Sequence, residues 1–261
     1  MDLHLKDKVA LVLASSSGLG KAVAQALVQE GAKVVIASRS ESKLAQAVSD
    51  LSDQGEGQVK YKVFDQRDYQ SIKDLVDFTR EAFGQINILV ANSGGPKAGD
   101  FESFSDEEVQ EAFQLTLNSY IRVIRLVLPD LKESQGRILL NSSSSIKQPI
   151  SGLSLSNIFR TGILGLAKTL AQELAPHGVL VNLIGPGRIE TDRIKELNQI
   201  NADQAGQPLD EYVVKDQADI PLGRYGKPEE FAQAAAFLVS GANTYITGQS
   251  LLVDGGLVKA L

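Results

Sequence analysis

A run of small residues near the N-terminus, Ala14-Ser-Ser-Ser-Gly18-Leu-Gly20, separates an apolar stretch from an amphipathic one. A strand, a turn and a helix start in this order bring backbone N–H groups and the positive end of a helix dipole together, which suits a phosphate group. Glycine permits the close approach of backbone that such a site needs. The turn therefore indicates a pyrophosphate site, although packing turns use the same residues. The candidate positions are Ala14, Ser16, Ser17, Gly18, Leu19 and Gly20.

The end of the second apolar run carries the next candidate group. Residues 34–37 are followed by Ser38-Arg39-Ser40, with no acidic residue. In a dinucleotide-binding βαβ unit this strand end reaches the adenosine ribose, where a carboxylate favours a 2′-hydroxyl and an arginine favours a 2′-phosphate. Arg39, with Ser40 as a further donor, therefore favours a 2′-phosphorylated dinucleotide. The alternative for Arg39 is a solvated surface charge.

These two strand ends belong to a regular alternation of short apolar runs and longer segments of helical period. The predicted strands are residues 9–13, 34–37, 59–64, 88–91, 137–140, 180–184 and 251–253, and the predicted helices are residues 19–30, 41–51, 69–83, 106–131, 155–174 and 228–238. This rhythm predicts an α/β fold with a doubly wound, parallel, seven-stranded sheet of Rossmann type and helices on both faces. Residues 1–261 are expected to form one domain.

Residues 190–219 interrupt the alternation. The segment is polar, contains Pro208 and has no clear apolar period. Loops over the carboxyl edge of such a sheet commonly cover the ligand. We therefore expect an insertion that acts as a substrate lid.

Composition excludes several classes of site and partner. The net charge of −6 provides no overall positive field, so neither nucleic acid nor an anionic membrane is expected as a partner. The chain has no cysteine and only two histidines, His4 and His177, which argues against disulfides, thiolate chemistry and a histidine metal site. The charged N-terminus does not resemble a signal peptide or a membrane span. A cytoplasmic protein without a metal is expected.

Several motifs in order resemble the short-chain dehydrogenase/reductase family, in particular its 3-oxoacyl-(acyl carrier protein) reductase-like members. The similarity extends from about Lys6 to Gly256. The family pattern T-G-x-x-x-G-x-G falls on residues 13–20, with Leu13 and Ala14 in place of Thr and the first Gly. We expect alanine to be tolerated there if its φ stays negative.

The resemblance also assigns later residues to a nicotinamide dinucleotide. The adenine contact falls on Asp65, the N-N-A-G segment falls on residues 91–94, and the P-G-x-[IV]-x-T segment near the nicotinamide carboxamide falls on residues 186–191. Together with Arg39, these matches imply NADP(H) as the cofactor. The implied contacts are Asp65, Asn92, Ser93, Gly94, Pro186, Gly187, Ile189 and Thr191.

The family's catalytic set is an Asn, a Ser and a Tyr-x-x-x-Lys pair, and here only the first two are matched. Asn118 corresponds to the Asn and Ser143 to the Ser, although the run of four serines leaves that register open by one position. The pair falls on Ser156 and Arg160, which still share one helix face.

The chemistry of this replaced pair differs from that of the family. A phenol titrates near pH 10, an aliphatic alcohol far higher, and each pKa unit costs about 1.4 kcal/mol. Ser156 is therefore a hydrogen-bond donor and a poor general acid. Arg160 is a permanent cation that can hold ribose hydroxyls and stabilise an oxyanion.

Another residue must then supply a proton for carbonyl reduction. Lys147, four residues after Ser143, is the predicted donor, provided that it is partly desolvated. Tyr120 lies on the far side of its helix from Asn118 and is expected in the core or in an interface. Tyr212 lies in the lid segment, from which it could swing into the site, but a tyrosine in a lid more commonly packs at its surface as an amphipathic side chain than acts in catalysis.

These assignments predict an NADP(H)-dependent oxidoreductase that interconverts a carbonyl and a secondary alcohol on a small molecule, with an atypical active site. The alternative is a catalytically inactive NADP(H)-binding sensor or partner subunit.

The helices predicted at 106–131 and 155–174 carry apolar residues on more than one face, as helices that pack on two sides do. Together with the family's way of assembling, this predicts a homotetramer of closed symmetry.

Overall fold

Seven parallel strands form one sheet in the order β3-β2-β1-β4-β5-β6-β7 in the computed structural model, which describes residues 1–260. The strands are β1 (Val9–Leu13), β2 (Lys33–Ser38), β3 (Gln58–Val63), β4 (Ile88–Ala91), β5 (Arg137–Asn141), β6 (Leu180–Pro186) and β7 (Ser250–Val253). The strand order reverses between β1 and β4, and ligands bind beside the carboxyl ends of strands at such a reversal. The predicted fold class is confirmed.

Nine helices connect and cover these strands within the described residues. They are α1 (Gly18–Gln29), α2 (Glu41–Ser52), α3 (Tyr69–Phe83), α4 (Asp106–Phe113), α5 (Ser119–Ser134), α6 (Ser154–Leu174), α7 (Asp192–Ala205), α8 (Leu209–Ala218) and α9 (Pro228–Val239). Side chains of β1 point alternately into two apolar layers, Leu11 toward α3, α5 and α6, and Val12 toward α1, α2 and α9. None of the described helices combines the length and apolar character that crossing a bilayer requires.

The helix predicted over residues 106–131 is not continuous. A π-helical turn, Gln114–Asn118, separates α4 from α5. Its residue Leu117 packs so closely on α6 that a Cβ on Gly162 would lie 2.9 Å from the Leu117 Cδ2 atom. A π turn accommodates an extra residue in one turn, and an apolar period read along the sequence does not reveal it.

Residues 190–219 include two helices, α7 and α8, that no apolar period in the sequence indicates. Thr191 begins α7 by accepting a hydrogen bond from the Ile194 N–H at 3.4 Å, and Gly206 ends it in the left-handed conformation with φ of 62°. These capping signals are visible in the sequence. The apolar period is missing because the buried residues of α7 are Asn198 and Ala202.

The turn between β1 and α1 adopts strained backbone geometry. Ala14 has a φ of +47°, so the condition under which alanine was expected to be tolerated, a negative φ, is not met. A left-handed conformation costs a non-glycine residue roughly 1–2 kcal/mol. Gly20 is required because a Cβ there would lie 2.4 Å from the Ala14 carbonyl oxygen. The same oxygen accepts a hydrogen bond from Asn92 Nδ2 at 3.1 Å, which ties the turn to the end of β4.

We expect Ala14→Gly to raise the free energy of unfolding by roughly 0.5–1 kcal/mol, because relief of the left-handed strain exceeds the entropy that glycine adds to the unfolded chain. Ala26→Gly, the same change in the middle of α1, should lower it by about 1 kcal/mol. Urea unfolding followed by circular dichroism measures both. Equal losses of stability in the two variants would contradict the argument.

Candidate active site

A cleft of about 560 Å³ opens at the carboxyl ends of the strands. Its walls come from the β1–α1 turn, the ends of β4, β5 and β6, the start of α6 and the helix α7. Thirteen of the residues singled out from the sequence line it: Ser17, Gly18, Leu19, Asn92, Ser93, Gly94, Ser143, Ser156, Arg160, Pro186, Gly187, Ile189 and Thr191. The structure therefore brings together most of the residues that the sequence places far apart.

The turn between β1 and α1, predicted to bind phosphate, faces the start of α7. A Cβ on Gly18, whose φ is +55°, would lie 3.6 Å from the Thr191 Cγ2 atom. The N-termini of α1 and α7 consequently converge on one side of the cleft, and both helix dipoles favour negative charge there. Arg193, on the first turn of α7, also lines the cleft.

An ionic cluster anchors α7 and α8 beside the cleft. The Asp216 carboxylate on α8 pairs with Arg188 Nη2 at 2.9 Å and accepts a hydrogen bond from the Tyr225 hydroxyl at 2.7 Å. Tyr225 in turn accepts from Asn198 Nδ2 on α7 at 3.1 Å. Burial, together with the bond to Asp216, raises the pKa of Tyr225. Since Arg188 follows Gly187 in the cleft wall, both helices are fixed to that wall.

A chain of buried side-chain amides connects the phosphate turn to the floor of the cleft. Asn92 Nδ2 donates to the Ala14 carbonyl oxygen at 3.1 Å, and Asn141 Nδ2 donates to Asn92 Oδ1 at 2.6 Å. Asn141 was not identified from the sequence. The available signal was a polar residue at the end of the apolar run of β5, directly before the serines.

Arg160 lies on the cleft floor with an incomplete set of partners. Only 6% of its surface is exposed. Its Nη1 donates to the Asn141 carbonyl oxygen at 3.1 Å and its Nη2 to the Gly94 carbonyl oxygen at 3.4 Å, whereas Nε has no acceptor. A guanidinium cannot be deprotonated in a protein, so a buried one with unmet donors suits a ligand rich in oxygen acceptors.

Of the serines that follow β5, one has a hydroxyl that can donate to a ligand in the cleft. Ser142, Ser143 and Ser144 all line the cleft, but Ser142 and Ser144 are each 5% exposed. The Ser142 hydroxyl donates to the Arg160 carbonyl oxygen at 3.4 Å. Ser143 is more exposed, and its Oγ accepts from the Ser145 N–H at 3.1 Å, which leaves its own proton for a ligand. This geometry favours Ser143 as the hydroxyl that meets a substrate.

Ser156 completes the polar part of the cleft. It is half-buried, lies in the first turn of α6 and lines the cleft together with Arg160 one turn later. Around these groups are apolar side chains, including Ile150, Leu153 and Leu197. Hydroxyl and guanidinium donors thus surround a space that apolar walls partly shield from water.

Two of the predicted catalytic residues do not line the cleft. Lys147 is exposed, so the partial desolvation that its assignment as a proton donor required is not found. Asn118 ends the π-helical turn, where its carboxamide bonds to the Gln114 side chain at 2.7 Å and lies 3.2 Å from Arg122 Nε. The sequence separation between Ser143 and Lys147 could not show that the chain turns outward after a short 3-10 helix.

The two tyrosines considered in the sequence analysis, Tyr120 and Tyr212, do not line the cleft. Tyr120 is fully buried in the core, as predicted. Tyr212 accepts a hydrogen bond from Asn201 Nδ2 at 3.0 Å and belongs to the packing of α7 on α8.

The residues assigned to adenosine lie beyond the cleft, at the ends of β2 and β3. Arg67 donates to the Asp65 carboxylate at 2.7 Å and holds the pKa of that carboxyl below its usual value, and the charge of Arg39 acts in the same direction. The Ser40 hydroxyl caps α2 by accepting from the Lys43 N–H at 3.4 Å. The Arg39 side chain is exposed and forms no hydrogen bond or ion pair with the described residues. It is therefore accessible to an anion.

Comparison with known proteins agrees with this architecture. Residues 13–258 match the family described as enoyl-(acyl carrier protein) reductase. The chain is 37% identical over 256 residues to the 3-oxoacyl-(acyl carrier protein) reductase of Vibrio cholerae, covering 98% of this chain and 99% of that protein.

Two solved structures are similar over nearly their whole length. L-sorbose reductase from Gluconobacter frateurii, solved with NADPH and L-sorbose, has a TM-score of 0.94 and 29% identity, with 100% of both chains covered. An NADPH-bound short chain oxidoreductase from Pseudomonas aeruginosa PAO1, described as containing an atypical catalytic center, has a TM-score of 0.88 and 31% identity over 98% of both chains. The chain belongs to the short-chain dehydrogenase/reductase family.

Proposed function

We propose that this protein is an NADP(H)-dependent oxidoreductase that interconverts a carbonyl group and a secondary alcohol. The observation that carries the proposal is Arg160, a buried cation with unmet N–H donors, in the same cleft as Ser143 and Ser156. The NADPH-bound relatives support it, one of them with L-sorbose and one with an atypical catalytic center. The substrate is taken to be a small molecule, and α7 and α8 are proposed as its lid.

The residues of the cleft fit a nicotinamide dinucleotide. Ser93 Oγ and Arg160 Nε are buried without partners, and a Cβ on Gly94 would meet no atom within 4 Å, so this part of the cleft has both donors and room. The proposed contacts are Ala14, Ser16, Ser17, Gly18, Leu19 and Gly20 for the pyrophosphate, Arg39, Ser40 and Asp65 for the adenosine, Asn92, Ser93, Gly94 and Arg160 for the ribose, and Pro186, Gly187, Ile189 and Thr191 for the nicotinamide. When bound, the dinucleotide supplies or accepts a hydride at the reacting carbon.

The protein's own contribution is to stabilise the negative oxygen that forms during reduction. Ser143 and Ser156 offer hydroxyl donors, and Arg160 adds a fixed positive charge in a partly water-excluded site. We infer that Ser156 and Arg160 replace the family's Tyr and Lys. We also infer that Asn118, the last residue of the π-helical turn, is the counterpart of the family's Asn. Since Ser156 is a poor acid and Lys147 is exposed, we infer that water entering the cleft delivers the proton.

One observation favours the second candidate function, an NADP(H)-binding sensor or partner subunit. Among residues 1–260, no Tyr, Lys, His or Glu lines the cleft, so the cleft offers no side chain of the kinds that commonly act as general acids near neutral pH, apart from the carboxyl of Asp192. Binding would survive this loss because the binding residues do not need to titrate. Turnover is therefore the property that separates the two candidates.

We expect slow NADPH oxidation with at least one carbonyl from a panel of ketoses, cyclic ketones and 3-oxoacyl thioesters. Arg160→Ala should lower kcat/KM by about 100-fold, the usual cost of losing a donor to a developing oxyanion. It should also weaken NADPH binding, because the same side chain is proposed to contact the ribose. Stopped-flow kinetics and a direct NADPH titration measure the two effects.

Two further variants test the source of the proton and the choice between the two candidate functions. Lys147→Ala should leave kcat unchanged if water supplies the proton, and a fall in kcat would restore Lys147 as the donor. Ser156→Tyr with Arg160→Lys rebuilds the family pair. If the native protein binds NADPH without turnover while this double variant turns over, the binding function is correct and the oxidoreductase proposal is wrong.

Arg39→Ala tests the cofactor preference. Loss of a charged contact to the 2′-phosphate should weaken NADPH binding by roughly 10- to 100-fold, as for hydrogen bonds to charged groups, while NADH binding stays within about twofold. Lys73→Ala is the matched control, since Lys73 is a basic residue of α3 that pairs with Asp77 at 2.9 Å. An Arg39→Ala protein that keeps its preference for NADPH would refute the role of this side chain.

We also propose a homotetramer, supported by the edge strand β7 and its neighbours. Tyr245 is 97% exposed and Leu251 on β7 is 42% exposed, although both are large apolar side chains. An unpaired strand edge with such side chains favours association with another chain. Leu251→Glu should reduce the mass measured by light scattering at micromolar concentration from four chains to fewer. A monomeric native protein would contradict the proposal.

A further inference from the structure

Tyr120 has a polar contact that core packing alone does not require. The side chain is fully buried near the start of α5, where a phenylalanine would fill almost the same volume. Its hydroxyl donates to the Asn141 carbonyl oxygen at 2.8 Å. That oxygen is the acceptor for Arg160 Nη1 at 3.1 Å. A phenol and a guanidinium from different helices thus share one acceptor beneath the cleft.

The π-helical turn explains how Tyr120 reaches this position. The turn Gln114–Asn118 ends two residues before it. One extra residue in a turn rotates the following side chains by about 100° around the helix axis, given 3.6 residues per α-helical turn. Tyr120 consequently packs in the layer of α5, α6 and the sheet, with its hydroxyl at the end of β5.

Tyr120 is a fixed donor and not a replacement acid. Burial raises the pKa of its phenol, and the nearby charge of Arg160 opposes that shift only in part. The phenol therefore stays protonated. A backbone carbonyl has two lone pairs, so an oxygen that accepts from Tyr120 has one left for the guanidinium.

We propose that Tyr120 is a positioning residue for Arg160. By occupying one lone pair of the Asn141 carbonyl, its hydroxyl limits the guanidinium to the single Nη1 bond with that oxygen, so that Nη2 turns to the Gly94 carbonyl oxygen. Nε then keeps no protein acceptor, as observed, and the remaining N–H groups are held for a ligand. This inference rests on the proposed role of Arg160 in binding the dinucleotide and the reacting oxygen.

A double-mutant cycle tests the coupling. Tyr120→Phe should weaken NADPH binding and lower kcat/KM by about tenfold each when Arg160 is present, the scale of a charge-assisted hydrogen bond. In an Arg160→Ala background the same change should alter both values by less than about twofold, because the group that Tyr120 positions is gone. If that background does not fold, Arg160→Gln takes its place.

Thr79→Val provides a matched control. It also deletes a fully buried hydroxyl, one that donates to the Leu75 carbonyl oxygen at 2.8 Å within α3, away from the cleft. It should lower the unfolding temperature without changing NADPH affinity. An equal loss of affinity for Tyr120→Phe in both backgrounds, or no loss in either, would overturn the positioning role.

A measurement on the ligand-free protein tests the role of Tyr120 independently of the proposed function. The NMR signal of the Arg160 Nε–H group, identified by its disappearance in Arg160→Lys, should shift in Tyr120→Phe and stay in place in Thr79→Val. A native protein that binds no NADPH would contradict the proposed function, while this signal would still decide the role of Tyr120. An unchanged signal in Tyr120→Phe would overturn it.

Discussion

The arrangement of the cleft depends on one buried guanidinium, that of Arg160, because a guanidinium keeps its positive charge in a protein. Every N–H group that it leaves unmet costs roughly 1–3 kcal/mol, so the surroundings of Arg160 must supply acceptors or a ligand must do so. The protein supplies two backbone carbonyls, those of Asn141 and Gly94, and leaves Nε without one. The carboxyl ends of β4 and β5 are arranged around this requirement.

The hydrogen-bonded side chains of Asn141 and Asn92 connect the acceptors of Arg160 to the turn at the other end of the cleft. Asn141 contacts Arg160 through its backbone and Asn92 through its side chain, and Asn92 in turn contacts Ala14. A shift of β5 relative to β4 would therefore disturb the phosphate turn and the cation together. The left-handed conformation of Ala14 fits this view, since the hydrogen bond from Asn92 contributes to offsetting its strain.

The parts of the fold and site that depend on local pattern could be predicted from the sequence. Apolar runs indicated the positions of the strands because both faces of a parallel sheet are buried. The resemblance to the family, and not a local pattern, implied that Ser143, Ser156 and Arg160 share one site. What failed depends on three-dimensional placement. The outward position of Lys147, the positive φ of Ala14 and the π turn before Tyr120 leave no periodic signal, and α7 buries an asparagine where a period search expects an apolar residue.

The proposed replacement of a phenol–lysine pair by a serine–arginine pair would change how the site can assist a reaction. A tyrosine lowers the barrier by transferring its own proton, so its contribution varies with pH. A guanidinium contributes through charge and hydrogen bonds, which stay constant across the neutral range, and its value depends on how firmly it is held. The rigidity of Arg160 then matters more than the acidity of any side chain. In this structure the guanidinium is held by the carbonyl oxygens of Asn141 and Gly94 in the cleft wall, and the buried Tyr120 hydroxyl shares the first of them. The core beneath the site is therefore part of the chemistry proposed for it.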